Sequence, residues 1–586
     1  MKTITEQLQQ VVSAAFESCG YDGALGTVSV SDRQDLCQFQ CNGAFAGAKQ
    51  YRKAPLVIAQ EVAAVLQQNP IFEKAEVCRP GFLNLTLTDA CFLEHIGAIA
   101  SDEHLGIPQE GQGKTIVLDY GGPNLAKPLH IGHLRSAIIG EALKRLARAC
   151  GYRVVSDVHL GDWGLQIGLV IAELSERYPQ WPCFQEGFDP QRDEIPTLDA
   201  DTLNEIYPFA SKKSKEDEQF KAKAQRITAQ LQSRDPAYIA LWQAILKVSV
   251  ADLKKNYSRL NVDFDLWYGE SDSDGYIDEL VGILRDKGLM YLSEGAMVVD
   301  VAQEDDKAPV PPVIIKKSDN SNIYATTDLA TILQRQKDFA PDKIWYVVDK
   351  RQGLHFTQVF RCARRAQLVP DSTELQLLGI GTMNGSDGKP YKTRDGGVMR
   401  LSDLIDTVTQ SALEKIEASP FVDGEHKEEL AQRIGVAAIK FGDLINHWSR
   451  DYCFDMEKFL SFEGKTGTYL LYMVTRINSI LRKAGLSQDA PVKIEAIYGQ
   501  EERDLLFQIL TTSEAFRHAI REKAPNYVCD NAYQLACAFS RFYNTSRIID
   551  EADPQKRSTW LSLAILTRRL LLEHLDVLGI QAVESM

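Results

Sequence analysis

The chain has 586 residues, of which 44% are hydrophobic and 25% are charged, and its formal net charge is −15 at pH 7. This length predicts about three to five domains, and because no run of about 18 apolar residues occurs, a membrane-spanning helix is not expected. The acidic balance also argues against a protein that binds nucleic acid without discrimination, although a local basic surface can still serve a specific RNA.

The eleven cysteines are scattered along the chain. Their closest pair, Cys37 and Cys41, has no second pair that would complete a tetrahedral zinc site. The first residues lack the apolar core of a secretory signal. We therefore expect reduced thiols in a cytoplasmic protein, with no structural metal, no contact with a membrane and no obligatory protein partner.

Residues 1–112 are predicted to form a small α+β domain. An amphipathic helix is expected at 5–18, and a turn at 79–81 leads into an alternating strand at 82–87. We place the domain boundary after residue 112 because an alternating strand–helix–strand pattern begins there.

Residues 113–400 are predicted to form a doubly wound, Rossmann-like α/β domain. Buried strands are expected at 115–118 and 152–158, with a helix between them. The polar, mostly helical stretch 179–286 is interpreted as an insertion between two halves of one nucleotide-binding fold. The second half is expected to contain strands at 296–300, 313–315, 343–348 and 375–380.

The remainder is predicted to be all-α. Apolar residues recur at three-and-four spacing beyond residue 402. We divide this part into a helical connecting region, 401–465, and a helical C-terminal domain, 466–586.

The most informative stretch is 123–136, which reads PNLAKPLHIGHLRS. His130 and His133 open a helix just beyond the carboxyl end of a strand, where doubly wound folds bind nucleotides and free backbone N–H groups favour phosphate. Two imidazoles can donate hydrogen bonds to phosphate oxygens as pyrophosphate leaves, and Gly132 lets a nucleoside approach the backbone. Taken alone, the four residues HIGH (130–133) are explained equally well by histidines that only satisfy hydrogen bonds at the start of a helix and bind no ligand.

The whole block resembles the signature of class I aminoacyl-tRNA synthetases, and its long form is similar to that of arginyl-tRNA synthetases. Segments 41–49 and 80–84 resemble the additional N-terminal domain of that family, and 463–472 resembles its anticodon-binding domain. The resemblance implies ATP-dependent attachment of L-arginine to tRNA(Arg) through an arginyl adenylate, with Mg²⁺ accompanying ATP. It also implies that tRNA must be bound before arginine is activated.

The family's second phosphate-binding element is a loop with the sequence KMSKS, which this chain lacks. It has Lys392, Thr393 and Arg394 in a glycine-rich segment instead. The resemblance implies that Lys392 and Arg394 are catalytic, that Thr393 contacts ATP and that Lys127 supplies the missing charge from another wall of the site. The alternative for Lys127 is an ordinary surface lysine.

Recognition of a guanidinium requires carboxylates and carbonyl oxygens that accept its planar set of donors. The resemblance implies that Asp119 and Asp328 bind this group and that Tyr324 packs on the side chain. The remaining contacts, to the polar groups of the amino acid, fall on Asn124, His159 and Gln352. Many family members have glutamate at the place of Asp119, and a helix cap would explain Asp328 alone.

Contacts to tRNA are also implied by the resemblance. For any one of the candidates, the alternative role is packing in the protein core. Thr468 also departs from the family pattern, which usually has proline there. The candidates are Asn84, Tyr469, Tyr472, Arg476, Tyr543, Arg547 and Met586.

Two other functions compete with this hypothesis. One is a small-molecule nucleotidyltransferase that shares the HIGH element, against which the long helical C-terminus argues. The other is a catalytically silent tRNA-binding scaffold, against which the intact His130, His133 and Lys127 argue.

Overall fold

The structure is a computed structural model, and it describes residues 2–317, 324–385, 388, 399–418 and 426–586. The N-terminal part is an antiparallel sheet of strand order β1-β2-β4-β3 with helices packed against it. Its elements are α1 (Ile4–Ser18), β1 (Val28–Val30), β2 (Phe39–Cys41), α2 (Gly43–Tyr51), α3 (Pro55–Leu66), β3 (Phe72–Cys78), β4 (Phe82–Leu87) and α4 (Asp89–Ser101).

The next part is built on a parallel sheet of four strands in the order β11-β10-β5-β6. The chain passes from β5 to β6 on one side and from β10 to β11 on the other, so the carboxyl ends of β5 and β10 form a topological switch point, where such sheets bind ligands. The elements are β5 (Thr115–Tyr120), α5 (Ile131–Ala149), β6 (Arg153–Asp157) and α6 (Leu165–Arg177), with β10 (Lys343–Asp349), α13 (Gly353–Ala366) and β11 (Glu374–Ile380) after the insertion.

The insertion is helical, as predicted. It contains α7 (Ala200–Glu216), α8 (Glu218–Gln232), α9 (Pro236–Arg259), α10 (Glu270–Ser273) and α11 (Ile277–Asp286). Its last segment returns to the parallel sheet, because Leu266 forms an isolated parallel bridge with Asp157 at the end of β6, and Gly269 forms another with Leu160 beyond it. This return places α10 at the carboxyl end of the sheet.

One prediction about the sheet is wrong. The strands expected at 296–300 and 313–315 form, but they lie in a separate antiparallel sheet of order β7-β8-β9. This sheet consists of β7 (Met290–Ser293), β8 (Ala296–Val299) and β9 (Val313–Lys316), and it is followed by α12 (Tyr324–Phe339). Alternation identifies a strand but not its partners, and here a hairpin outcompetes addition to the parallel sheet.

From Met383 onward, the described residues form helices and loops except for one short pairing of strands, β12 with β13, which are parallel. The elements are β12 (Met383–Asn384), α14 (Leu401–Glu417), α15 (Lys427–Leu444), β13 (Tyr452–Cys453), α16 (Met456–Phe459), α17 (Gly467–Lys483), α18 (Gln500–Glu522), α19 (Asn526–Thr545) and α20 (Pro554–Val577). None of the described helices is both long and apolar enough to cross a bilayer.

The N-terminal part packs on α18. Arg503 donates to Glu73 at 2.9 Å and also contacts Asp89, and the rings of Phe39 and Phe507 meet edge to face with centroids 5.6 Å apart. The first and last parts of the chain therefore share one interface.

Candidate active site

His130 and His133 lie at the amino end of α5, where the first backbone N–H groups of a helix lack partners within the helix. His130 is the N-cap, and its Nδ1 accepts a hydrogen bond from the Gly132 amide at 3.0 Å. Nδ1 of His133 accepts from the His130 amide at 3.2 Å. Because each Nδ1 is an acceptor, each neutral ring carries its hydrogen on Nε2 and can donate it to a ligand.

Both rings are neutral at physiological pH. Burial lowers the pKa of His133 to about 3, and His130 and Lys127 contribute to the decrease. Burial also lowers the pKa of His130 to about 4, with a contribution from Lys127. The ring centroids are 4.0 Å apart, so the pair presents two adjacent N–H donors without the repulsion of two cations.

Lys127 lies close enough to both rings to lower the pKa of each, and burial in turn lowers its own pKa. Gly132 is exposed, but a Cβ there would lie 2.7 Å from Cε1 of His130. The glycine is therefore required by the capping ring of His130 itself, in addition to any approach of a nucleoside.

The segment after the glycine-rich stretch returns to this helix start. The Met399 carbonyl accepts from the Ile131 amide at 3.1 Å, and the Leu401 amide donates to the Leu129 carbonyl at 2.9 Å. Lys392, Thr393 and Arg394 lie outside the described residues, but the backbone that follows them is bonded to the neighbours of His130.

A second group of predicted residues surrounds α12. Tyr324 and Asp328 are one turn apart, as expected from their spacing. The Tyr324 hydroxyl accepts from Nε2 of Gln166 at 3.1 Å, and 55% of the Tyr324 residue is exposed. Oδ2 of Asp328 lies 2.5 Å from Nε2 of His355. Both side chains are thus held from one side and open on the other.

Sequence reasoning missed Glu270, the first residue of α10. Burial raises its pKa to about 7, and the neighbouring Asp162 and Asp328 add to the increase, whereas His159 opposes it. A Cβ on Gly164 would lie 3.9 Å from both the Glu270 carboxylate and the Tyr324 hydroxyl. Within the described part of the chain, no lysine or arginine forms an ion pair with Glu270.

Asp162 differs from Glu270, although burial raises its pKa as well, to about 6. Its two oxygens accept from the amide and the hydroxyl of Ser271, at 3.0 and 2.6 Å. Its role is therefore to fix the start of α10, and so the position of Glu270. The only sequence signal for Glu270 is an acidic residue directly after glycine, and many such residues are simple first-turn acids.

Asp119 lies deeper than predicted. Its Oδ2 accepts from Nη2 of Arg335 at 2.7 Å, and the same nitrogen donates to Asp157 at 2.7 Å. Burial raises the pKa of Asp119, and Arg335 opposes that increase. The protein's own guanidinium therefore occupies one of its oxygens. The role of Asp119 toward a substrate guanidinium stays a prediction.

His159 completes this buried cluster. Burial by itself lowers its pKa, but the Asp157 and Asp119 carboxylates outweigh that effect and raise it to about 9. Ligand atoms of Asp119, Asp157 and His159 lie within 4.8 Å of one another, a spacing that suits a metal ion. The Arg335 guanidinium supplies positive charge to the same carboxylates instead.

The other predicted amino-acid contacts lie at the same end of the sheet. Asn124 forms a parallel bridge with Gly161, two residues beyond His159. Gln352 is exposed and ends the short helical turn Lys350–Gln352, between β10 and α13.

The predicted tRNA contacts are spread more widely. Tyr472, Arg476 and Tyr543 form one cluster, in which Nη2 of Arg476 donates to the Tyr472 hydroxyl at 2.7 Å and the guanidinium lies 5.2 Å from the Tyr543 ring centroid. Tyr469 packs against Tyr533 on α19, and Met586 packs on the helical core. Arg547 is exposed beyond α19.

Asn84 is the remaining predicted tRNA contact. It lies on β4 in the N-terminal sheet, where its Oδ1 accepts from Gln40 at 2.9 Å. It is therefore separate from the cluster around Arg476.

Comparison with known families explains this architecture. The profile of "tRNA synthetases class I (R), catalytic domain" matches residues 95–456, which is more than half of the chain. The chain belongs to the arginyl-tRNA synthetase family. The "Arginyl tRNA synthetase N terminal domain" matches residues 2–87, and the "DALR anticodon binding domain" matches residues 470–586.

Known arginine--tRNA ligases are similar to this chain over its full length. "Arginine--tRNA ligase" from Alkaliphilus oremlandii is 47% identical, and that from Agathobacter rectalis is 44% identical, each covering 100% of both chains. The crystal structure of arginyl-tRNA synthetase from Plasmodium falciparum shares the fold, with a TM-score of 0.81 at 22% identity and 100% coverage of both chains. The predicted family, fold class and assignment as an aminoacyl-tRNA ligase of the arginyl-tRNA synthetase family are confirmed. The predicted domain limits stay predictions.

Proposed function

We propose that this chain carries out the reaction of its family, the ATP-dependent attachment of L-arginine to tRNA(Arg) through an arginyl adenylate, with the residues assigned below. One observation supports the site assignment above all. Two carboxylates that form no ion pair with a lysine or arginine of the described residues, Asp328 and Glu270, lie close enough for Asp328 to raise the pKa of Glu270, at the carboxyl end of the same sheet that presents the paired neutral histidines.

The guanidinium of arginine binds between Asp328 and Glu270. The two carboxylates repel each other, and burial disfavours the charged form of Glu270 and raises its pKa. A cation between them offsets both the repulsion and the loss of solvation. A neutral analogue leaves the carboxylates unpaired, which gives strong discrimination without an editing site. Tyr324, which is held by Gln166, packs along the aliphatic part of the substrate.

The opposite end of arginine, with its α-amino group and carboxylate, faces the cluster at β5 and β6. We assign the free edge of Asp119 to the α-amino group, together with Asn124 and Gln352. His159 carries a positive charge, because the neighbouring carboxylates raise its pKa to about 9, and it attracts the substrate carboxylate. With the guanidinium at Asp328 and Glu270, the carboxylate of the substrate arginine points toward α5, where ATP binds.

The Nε2–H groups of His130 and His133 bind the phosphates of ATP. Lys127 adds a positive charge next to them, and the amino end of α5 adds its dipole. Charge that develops as pyrophosphate leaves is stabilised by donors already in place, which is worth about 10²–10³ in rate for each donor. Mg²⁺ accompanies ATP as part of the substrate.

The helical C-terminal domain binds the anticodon arm of tRNA(Arg). Tyr472, Arg476 and Tyr543 form a surface on which bases can stack, with a guanidinium between two rings. Asn84 in the N-terminal domain is a second contact. A cytoplasmic location stays a prediction from the sequence.

The test is esterification of unfractionated tRNA with each of the twenty amino acids, in the presence of ATP and Mg²⁺. We expect charging with arginine alone, and an Asp328→Asn variant that has a higher KM for arginine and an unchanged KM for ATP. Charging with a different amino acid contradicts the pocket assignment. An equal loss toward arginine and ATP in the variant contradicts the role of Asp328.

A further inference from the structure

Three residues form a row across the parallel sheet beneath the arginine pocket. Tyr346 on β10 pairs in register with Asp119 on β5, and Asp119 pairs with Asp157 on β6. Successive strands place these side chains side by side on the same face, because paired residues in a parallel sheet point the same way. Two carboxylates therefore lie next to each other in the interior, and only 6% of Asp119 and 1% of Asp157 are exposed.

One side chain from the covering helix meets this row. Arg335 on α12 places a single nitrogen, Nη2, 2.7 Å from both Asp119 and Asp157. Its guanidinium also lies 5.4 Å from the ring centroid of Tyr346. Only 3% of Arg335 is exposed, and within the described residues its Nη1 has no hydrogen-bond partner. The two carboxylates, and not a complete set of hydrogen bonds, determine where this guanidinium lies.

The acidic residues that contact Arg335 have the spacing of a metal site. Asp119, Asp157 and His159 offer three ligand atoms within 4.8 Å of one another, a common arrangement for a divalent cation. Two adjacent buried carboxylates need a cation, because one of them otherwise takes up a proton. Here the cation is covalently part of α12, the helix that also carries Tyr324 and Asp328.

We propose that Arg335 is a positioning residue for arginine recognition: it joins α12 to the ends of β5 and β6 through Asp119 and Asp157, and so sets the distance between Asp328 at one end of the substrate and Asp119 at the other. This inference rests on the proposed function. It also leaves one place for a guanidinium from solution, because the protein's own guanidinium pairs with the inner carboxylates, Asp119 and Asp157, and leaves the outer pair, Asp328 and Glu270, for the substrate.

Lysine does not replace arginine here. An ammonium is a compact point charge that lacks the planar fork, and it cannot lie flat against the Tyr346 ring while it holds two carboxylates. Substitution of residues that orient ligating groups typically costs about 10–100-fold. We therefore expect Arg335→Lys to raise the KM for arginine by about 10-fold or more, with the KM for ATP unchanged.

The matched control is Arg517→Lys. Arg517 is a buried arginine on α18 that pairs with Glu6 and Glu110, away from the sheet. Both variants are measured by pyrophosphate exchange at saturating tRNA and by thermal unfolding. If Arg335 is only structural, the two variants lose similar Tm and neither changes the KM for arginine selectively. That result overturns the proposal.

A second readout does not depend on turnover. Arg335→Ala removes the guanidinium from Asp119 and Asp157, so the variant is expected to bind Co²⁺ through these carboxylates and His159 and to show its visible d–d absorption, unlike the wild type in the absence of ATP. The double variant Arg335→Ala, Asp157→Asn is expected to lose this signal. If Arg335→Ala folds and shows no more Co²⁺ absorption than the wild type, the inference fails.

The outcomes separate the two proposals. If the wild-type protein charges tRNA with another amino acid, the proposed pocket assignment fails. Co²⁺ binding by Arg335→Ala still tests whether Arg335 supplies the positive charge between Asp119 and Asp157. If charging by arginine and the effect of Asp328→Asn are as expected but Arg335→Lys behaves like Arg517→Lys, only the role of Arg335 is refuted. If the alanine variant does not fold, the lysine variant alone decides.

Discussion

Glu270 makes the affinity for arginine depend on pH near neutrality. Burial, Asp162 and Asp328 raise its pKa to about 7, and only the ionised carboxylate attracts a guanidinium. The ionised fraction is about a half at pH 7, about a tenth at pH 6 and about nine tenths at pH 8. Hence kcat/KM for arginine, which reports on the free enzyme, falls about fivefold from pH 7 to 6 and rises less than twofold from pH 7 to 8.

Substitution of Glu270 by Gln should remove both the charge and the inflection. A hydrogen bond to a charged group contributes about 1.5–3 kcal/mol, which corresponds to about 10–150-fold in kcat/KM at pH 8. The assay is the initial rate of arginylation from pH 5.5 to 8.5 at saturating ATP and tRNA, with arginine varied. The paired histidines add no inflection in this range, because burial lowers the pKa of each to about 4 or below.

The control is Glu502→Gln. Glu502 is another buried glutamate whose pKa burial raises, but it lies on α18, where it accepts from the Tyr498 amide at 3.0 Å. This variant should retain the wild-type pH profile. A flat wild-type profile between pH 6 and 8, or an inflection that survives in Glu270→Gln, would refute the placement of Glu270 against the substrate.

Three further substitutions test the other parts of the site. His133→Ala should lower the rate of pyrophosphate exchange by about 10²-fold or more with little change in the KM for arginine, and near-normal exchange would remove His133 from the reaction. Lys127→Met should lower kcat for exchange by about 10-fold or more, because one charge beside the phosphates is lost; an unchanged kcat would make Lys127 an ordinary surface lysine. Arg476→Ala should raise the KM for tRNA and reduce the salt dependence of tRNA binding by about one unit of slope if Arg476 meets a phosphate, or leave that slope unchanged if it only stacks bases. An unchanged KM for tRNA would exclude either contact.

Local signals predicted the amino end of α5 well. The strand, the turn and the helical periodicity are all encoded within about 35 residues, so the positions of His130 and His133 followed directly from the sequence. Two strands of the small antiparallel sheet, β8 and β9, were also recognised, but β7 and the pairing of the three strands were not, because alternation carries no information about pairing.

The features of the site that the sequence did not predict depend on residues far apart in the chain. Arg335 lies 216 positions from Asp119, and on a helix its sequence context resembles that of any surface arginine. Glu270 reaches the pocket only because the end of the insertion pairs with the segment after β6. Neither relation is encoded in local periodicity, so the sequence did not show the ion pair between Arg335 and Asp119 and overlooked Glu270.

The interface between the N-terminal sheet and α18 has a consequence for synthesis of the chain. Asp89 and its partner Arg503 are 414 positions apart, and Phe39 is separated from its partner Phe507 by an even longer stretch of chain. At about 5–20 residues per second, a ribosome needs about 20–80 s to bridge that gap. During this interval the emerging N-terminal domain has an uncovered face, including the Phe39 ring. We expect this face to be a site where chaperones bind the nascent chain and where truncated translation products aggregate.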